Sequence, residues 1–191
     1  MRVASQSLSH TLKPYCETFD DRHHTAYEVK TGKMLSRASK RLGVRSVTKS
    51  KKKNWDDYFT FGFVRHPYTH FLSVYLYLKK HKVVTLDFAS YTAQQKETGY
   101  SSLADWNFKG LYDRISDADG NIIVDFVGRF ENLAEDWSYV AAKIGLPGLQ
   151  LHHINQTVGS EMRLSDYYTP VERKIVQDLY RQDFEMLGYE S

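Results

Sequence analysis

Phe59-Thr-Phe-Gly-Phe-Val-Arg65-His-Pro-Tyr-Thr-His-Phe-Leu-Ser73-Val-Tyr75 reads as a strand, a turn and a helix in immediate succession. Phe59, Phe61, Phe63 and Val64 are strand formers. Pro67 suits the first turn of a helix, because its φ is already helical and its missing N–H would have had no partner there. Arg65 therefore falls at the carboxyl end of the strand, the end that faces the ligand crevice in open α/β sheets. Ser73 follows two helical turns into the next element. A guanidinium and a hydroxyl so placed offer donors that suit a phosphate in geometry and charge. The plainer alternative is a buried strand whose arginine meets a surface carboxylate.

Working outward, Leu8 and Leu12 suggest a short helix ended by Pro14, with Ser5 and Ser7 in its first turn. Thr25 to Leu42 fits a helical segment interrupted near Gly32. After the strand, a helix is expected from Pro67 to about Lys80 with Phe71, Leu72, Tyr75 and Leu78 turned inward. The tyrosine-rich stretch from His81 to Tyr112 reads as mixed helix and loop. Asp117-Ala-Asp-Gly120 is a turn, and Ile122 to Val127 is a second β run bounded by Gly120 and Gly128. Asn132 can cap the helix that buries Leu133, Trp137, Val140, Ala141 and Ile144, and Gly145 ends it. Thr169-Pro-Val-Glu172 combines a capping box with proline at the first helical position, opening a last helix whose inner face holds Val171, Ile175, Val176, Leu179, Phe184 and Leu187.

A chain of 191 residues, 41% of them hydrophobic, suffices for one core and one domain. It holds neither an apolar run of about 18 residues nor a basic start followed by an apolar stretch, so cytoplasm is the default expectation. Cys16 is the single cysteine, which excludes an intramolecular disulfide and fits a reducing compartment. The net charge of +3 is unevenly spread: Lys30 to Lys53 carries ten basic residues and no acid, leaving 16 basic and 23 acidic residues elsewhere, a balance of −7. Such a segment attracts any polyanion, whether nucleic acid, membrane surface or acidic glycan, and otherwise reads as a solvated loop.

Neither a Gly-x4-Gly-Lys-Ser/Thr loop nor a Gly-x-Gly-x-x-Gly fingerprint occurs, so another phosphate loop is needed. Arg2-Val-Ala-Ser-Gln-Ser7 can serve. Small Ala4 and Ser5 allow close backbone approach while helix-start amides and two hydroxyls point at an anion.

The segment around Arg65 resembles the 3′-phosphate-binding segment of sulfotransferases that use 3′-phosphoadenosine-5′-phosphosulfate (PAPS), especially the family 2 type related to carbohydrate sulfotransferases. Arg2-Val-Ala-Ser-Gln-Ser-Leu8, His23-His-Thr-Ala26, Asp125-Phe-Val-Gly-Arg-Phe-Glu-Asn-Leu133 and Tyr167-Tyr-Thr-Pro170 extend the resemblance, in family order, over almost the whole chain.

The resemblance implies a single α/β domain over residues 1–191, with a mostly parallel central sheet flanked by helices in a P-loop-like fold. In the family a hydrophobic strand precedes the phosphate loop. Only Met1 stands before the loop in this sequence, so the expectation is a sheet lacking the first family strand, either because the sequence is truncated or because another segment fills that slot.

By the same resemblance, Arg2, Ala4, Ser5, Gln6 and Ser7 form the 5′-phosphosulfate loop, usually Lys-Thr-Gly-Gly-Thr-Ser, with arginine for lysine and Ala4-Ser5 for the glycines. Arg65 and Ser73 bind the 3′-phosphate. Arg2 would neutralise the leaving phosphate, and His23, with His24 as the neighbouring alternative, would take the acceptor's proton. His152-His153-Ile-Asn155 looks like the family's His-Leu-Asn segment, and the loop with Arg163 could close over the nucleotide. Arg129-Phe-Glu131 lies near the cofactor or forms an internal salt bridge.

The implied donor is PAPS, no metal is expected, and the acceptor is a hydroxyl, by resemblance on a glycan. One rival reading is a 3′-phosphoadenosine-binding protein without catalysis. The other is a nucleic-acid-binding module using the basic segment, and the near absence of aromatics from Lys30 to Lys53 speaks against it.

Overall fold

The computed structural model describes residues 5–16, 26–31, 55–98, 110–151 and 163–191. Two strands, β1 (Phe61–Val64) and β2 (Phe126–Arg129), pair in parallel, with Phe61 opposite Phe126 and Val64 opposite Arg129. Around this small sheet the described residues are mostly helical: α1 (Ser5–Leu12), α2 (Ala26–Thr31), α3 (Pro67–Lys80), α4 (Phe88–Thr98), α5 (Tyr112–Ile115), α6 (Leu133–Lys143), α7 (Pro170–Leu179) and α8 (Arg181–Leu187).

The element signals explain most of these bounds. Pro67 occupies the first turn of α3, which runs to Lys80 as expected, and Phe71, Leu72, Tyr75 and Leu78 are all buried on it. Asp87 starts α4 by accepting the N–H of Ser90 at 2.8 Å, which supplies the helix within the stretch read as mixed helix and loop. Thr169 and Glu172 close the expected capping box on α7, each side chain meeting the other's backbone. Pro14 lies in a 3-10 turn (Lys13–Tyr15) that ends α1. Of the helical segment expected from Thr25 to Leu42, residues beyond Thr31 lie outside the described set.

Four expectations need correction. The second β run does not occupy Ile122–Val127. It starts at Phe126 and includes Gly128, because Ile122 forms an antiparallel bridge with Ser116, and Asp125 accepts both the N–H and the hydroxyl of Thr60 at 2.7 Å just ahead of the ladder. Gly128 is a member of β2 because it lies against Phe63: a Cβ there would sit 2.5 Å from the phenyl ring. Asn132 makes no side-chain cap. The chain enters α6 through a 3-10 turn (Phe130–Asn132), and Asp136 accepts the N–H of Arg129 instead. Val171 is 64% exposed, and the last helix breaks at Tyr180 into α7 and α8, so the inner face is carried by Ile175, Val176, Phe184 and Leu187.

Two cores result. One is aromatic, formed by α3, α4, α7 and α8 through Tyr68, Phe71, Tyr75, Phe88, Tyr91, Tyr168, Tyr180 and Phe184. The other backs the sheet with Phe63 and Val64, Leu111, Tyr112 and Ile115 around α5, and Trp137, Val140 and Ala141 from α6. Leu8 and Leu12 of α1 pack at the margin of this second core. Each large apolar side chain so buried contributes about 1.5–3 kcal/mol, which holds α3 to α4, α7 and α8 in the first core and the sheet to α5 and α6 in the second.

Candidate functional site

Because β1 and β2 are parallel and in register, their carboxyl ends leave the sheet together, and Arg65 and Phe130 are the next residues on each. The guanidinium of Arg65 lies over the Phe130 ring, 4.3 Å from its centroid. Its Nε donates to Oγ1 of Thr69 at 2.9 Å, and the Thr69 hydroxyl donates its own proton to the carbonyl of His66 at 2.9 Å. Arg65 is only 8% exposed, yet among the described residues its terminal nitrogens have no hydrogen-bond partner. Burial pushes its pKa below the ordinary guanidinium value, opposed chiefly by the charge of Glu131, and it stays a cation at neutral pH. A buried cation whose terminal donors meet no carboxylate among the described residues is suited to an anionic ligand.

The turn that carries Arg65 is braced from two distant segments. Glu131 accepts the N–H of His66 at 2.8 Å with one oxygen and the hydroxyl of Tyr189 at 3.1 Å with the other. Arg129 donates to the carbonyl of Leu187 at 2.6 Å and lies 4.6 Å from the Tyr189 ring centroid. Among the described residues Arg129 and Glu131 are thus both engaged internally, but not with each other. Nδ1 of His66 accepts from the N–H of Tyr68, and burial, opposed by Glu131, holds the imidazole below its usual value and neutral at pH 7. Burial also raises the Tyr189 hydroxyl well above the phenol range.

Ser73 lies on α3 and is 1% exposed, one helical turn beyond Thr69. Arg65, Thr69 and Ser73 therefore follow one another at intervals of four along the β1–α3 junction. At the other end of the chain, Ser5 and Gln6 belong to the first turn of α1 and Ser7 is buried at 8% exposure. Arg2, Ala4, His23 and His24 lie outside the described residues, as do His152 to Asn155, and so do the side chains of Ser5 and Gln6. Arg163, at the edge of that last stretch, opens a 3-10 turn (Leu164–Asp166).

Sequence reasoning missed Thr69 and Phe130. The signal for Thr69 was its position four residues after Arg65; Phe130 could be found only by placing the two strand ends side by side.

No helix among the described residues is long and apolar enough to cross a membrane. No solved structure matches the chain significantly. A protein described as uncharacterized, from Archaeoglobus fulgidus, is 38% identical over 97 residues, covering 50% of this chain and 75% of that one. The sulfotransferase family matches residues 2–190, nearly the whole length. With a strand, turn and helix presenting a buried arginine inside that span, the chain belongs to the sulfotransferase family.

Proposed function

We propose that this protein transfers a sulfonate group from PAPS to a hydroxyl acceptor, with Arg65 and Ser73 holding the nucleotide's 3′-phosphate. The observation that carries the reading is the buried Arg65 guanidinium at the carboxyl end of β1, in a chain of the sulfotransferase family. Its charge and planar donors fit a phosphate, and Ser73 adds a hydroxyl on the same helix face.

The remaining roles go to the opening segment and to His23. Ala4, Ser5, Gln6, Ser7 and their amides hold the 5′-phosphosulfate, and Arg2 offsets the charge that builds on the leaving phosphate oxygen. His23 takes the proton of the acceptor hydroxyl as its oxygen bonds to sulfur and the bond from sulfur to the 5′-phosphate breaks, releasing adenosine 3′,5′-bisphosphate. A sugar hydroxyl is the acceptor favoured by this reading, and the ten basic residues from Lys30 to Lys53 favour an acidic glycan.

The test is a transfer screen with labelled PAPS against acidic glycans, neutral glycans and simple alcohols, paired with nucleotide titrations. Label should move to a glycan. Arg65→Ala and Ser73→Ala should weaken adenosine 3′,5′-bisphosphate, by about tenfold or more for the arginine, with little change for adenosine 5′-monophosphate. Binding without transfer to any acceptor would instead identify a nucleotide-binding protein without catalysis. Equal losses for both nucleotides would refute the 3′-phosphate assignment.

A further inference from the structure

An arginine side chain loses rotamer freedom when it is fixed, so a site that fixes it before the ligand arrives gains affinity. Arg65 is held on two sides. Its Nε–H is bound by Oγ1 of Thr69 at 2.9 Å. That hydroxyl can only accept here, because its one proton is committed to the His66 carbonyl, also at 2.9 Å. The face of the guanidinium lies over the Phe130 ring, with 4.3 Å between its central carbon and the ring centroid. One contact fixes the rotation of the fork within its plane, and the other fixes the plane. Thr69 comes from the first turn of α3 and Phe130 from the turn after β2, so both anchors are set by the paired strand ends rather than by a loose loop.

We propose that Thr69 and Phe130 are positioning residues that act through Arg65, orienting its guanidinium so that the two terminal nitrogens face the 3′-phosphate of the bound nucleotide. This rests on the assignment of Arg65 to that phosphate. Neither residue touches the nucleotide in this scheme. Their effect is therefore selective for a ligand carrying a 3′-phosphate and vanishes when Arg65 is absent, whereas a purely structural role at the start of α3 would weaken all ligands alike.

The full chain carrying Thr69→Val, Thr69→Ser, Phe130→Leu or Arg65→Ala is titrated with adenosine 3′,5′-bisphosphate and with adenosine 5′-monophosphate. Thr69→Val should weaken the bisphosphate about tenfold, the effect of losing a hydrogen bond to a charged group, and leave the monophosphate unchanged within about twofold. Thr69→Ser, which keeps the hydroxyl, should restore the bisphosphate affinity. Phe130→Leu keeps an apolar contact but removes the ring face, and should cost about threefold for the bisphosphate alone. Adding Thr69→Val to Arg65→Ala should change nothing further.

Thr69→Val and Phe130→Leu chains that bind the bisphosphate normally, or lose both nucleotides equally, would overturn the inference while a selective loss in Arg65→Ala left the phosphate assignment standing. An Arg65→Ala chain without selective loss would overturn that assignment itself. Should Thr69→Val fail to fold, Phe130→Leu decides by the same comparison.

Discussion

Asp183 is 1% exposed and accepts the N–H groups of Leu111 at 2.8 Å and Tyr112 at 3.0 Å, so that one carboxylate caps the start of α5. Burial pushes its pKa up to about 6 from the ordinary 3.8, and the two N–H groups pull it only part of the way back. The folded-state value is the higher one, so the folded chain binds the extra proton. The stabilisation is complete below pH about 4 and is lost as the pH rises through about 6, on the order of 3 kcal/mol in all. Asp125 and Glu172 are shifted the other way by hydrogen bonds from Thr60 and Thr169, so their stabilisation is lost as the pH falls. Comparison with Asp183→Asn isolates the one group. Urea unfolding from pH 4 to 6 should show the wild type losing stability relative to the variant; parallel curves would mean that Asp183 does not take up the proton.

At the scale of an element, β2 depends on an absent side chain. A Cβ on Gly128 would lie 2.5 Å from the Phe63 ring, which is itself 4% exposed, so the ring or the strand must shift. Gly128→Ala should lower the unfolding free energy by about 1–3 kcal/mol, and Phe63→Leu in the same chain should recover part of that loss. Denaturant midpoints of the two chains check it, and an unchanged midpoint for Gly128→Ala would show that the ring moves freely. The same glycine shows where a sequence stops being readable. Gly128 looks like the end of a β run, and only the partner strand reveals it as a place kept clear for a ring. The ladder's start is equally hidden, since Asp125 meets Thr60 across 65 positions of chain. Signals that act within a few residues were legible: Pro67 opening α3, the Thr169–Glu172 box opening α7, and Arg65 and Ser73 at the junction between strand and helix. The anchors of Arg65 were not, because one depends on a side-chain rotamer and the other arrives from the second strand.

Across the whole molecule, the proposed machinery divides between an opening segment that handles the reacting group and a sheet edge that handles the 3′-phosphate. Leu8 and Leu12 of α1 pack at the margin of the core that buries Phe63 and Val64, which ties the helix after the opening segment to the strand before Arg65. The two tasks should separate by mutation. His23→Ala should reduce the single-turnover rate by about 100-fold to 10,000-fold, as expected for a lost general base, while adenosine 3′,5′-bisphosphate still binds. Near-normal turnover in that variant would transfer the proton-accepting role to another residue, with His24 tested next.

The brace behind Arg65 also sets an order of events during synthesis. His66 meets Glu131 65 positions later, and Glu131 in turn meets Tyr189 after a further 58. While the polypeptide is still emerging from the ribosome, the bend after β1 lacks both of these supports. On the proposed function, full nucleotide affinity would come late in maturation: a nascent chain halted before α8 would hold Glu131 against His66 but lack Tyr189 behind it.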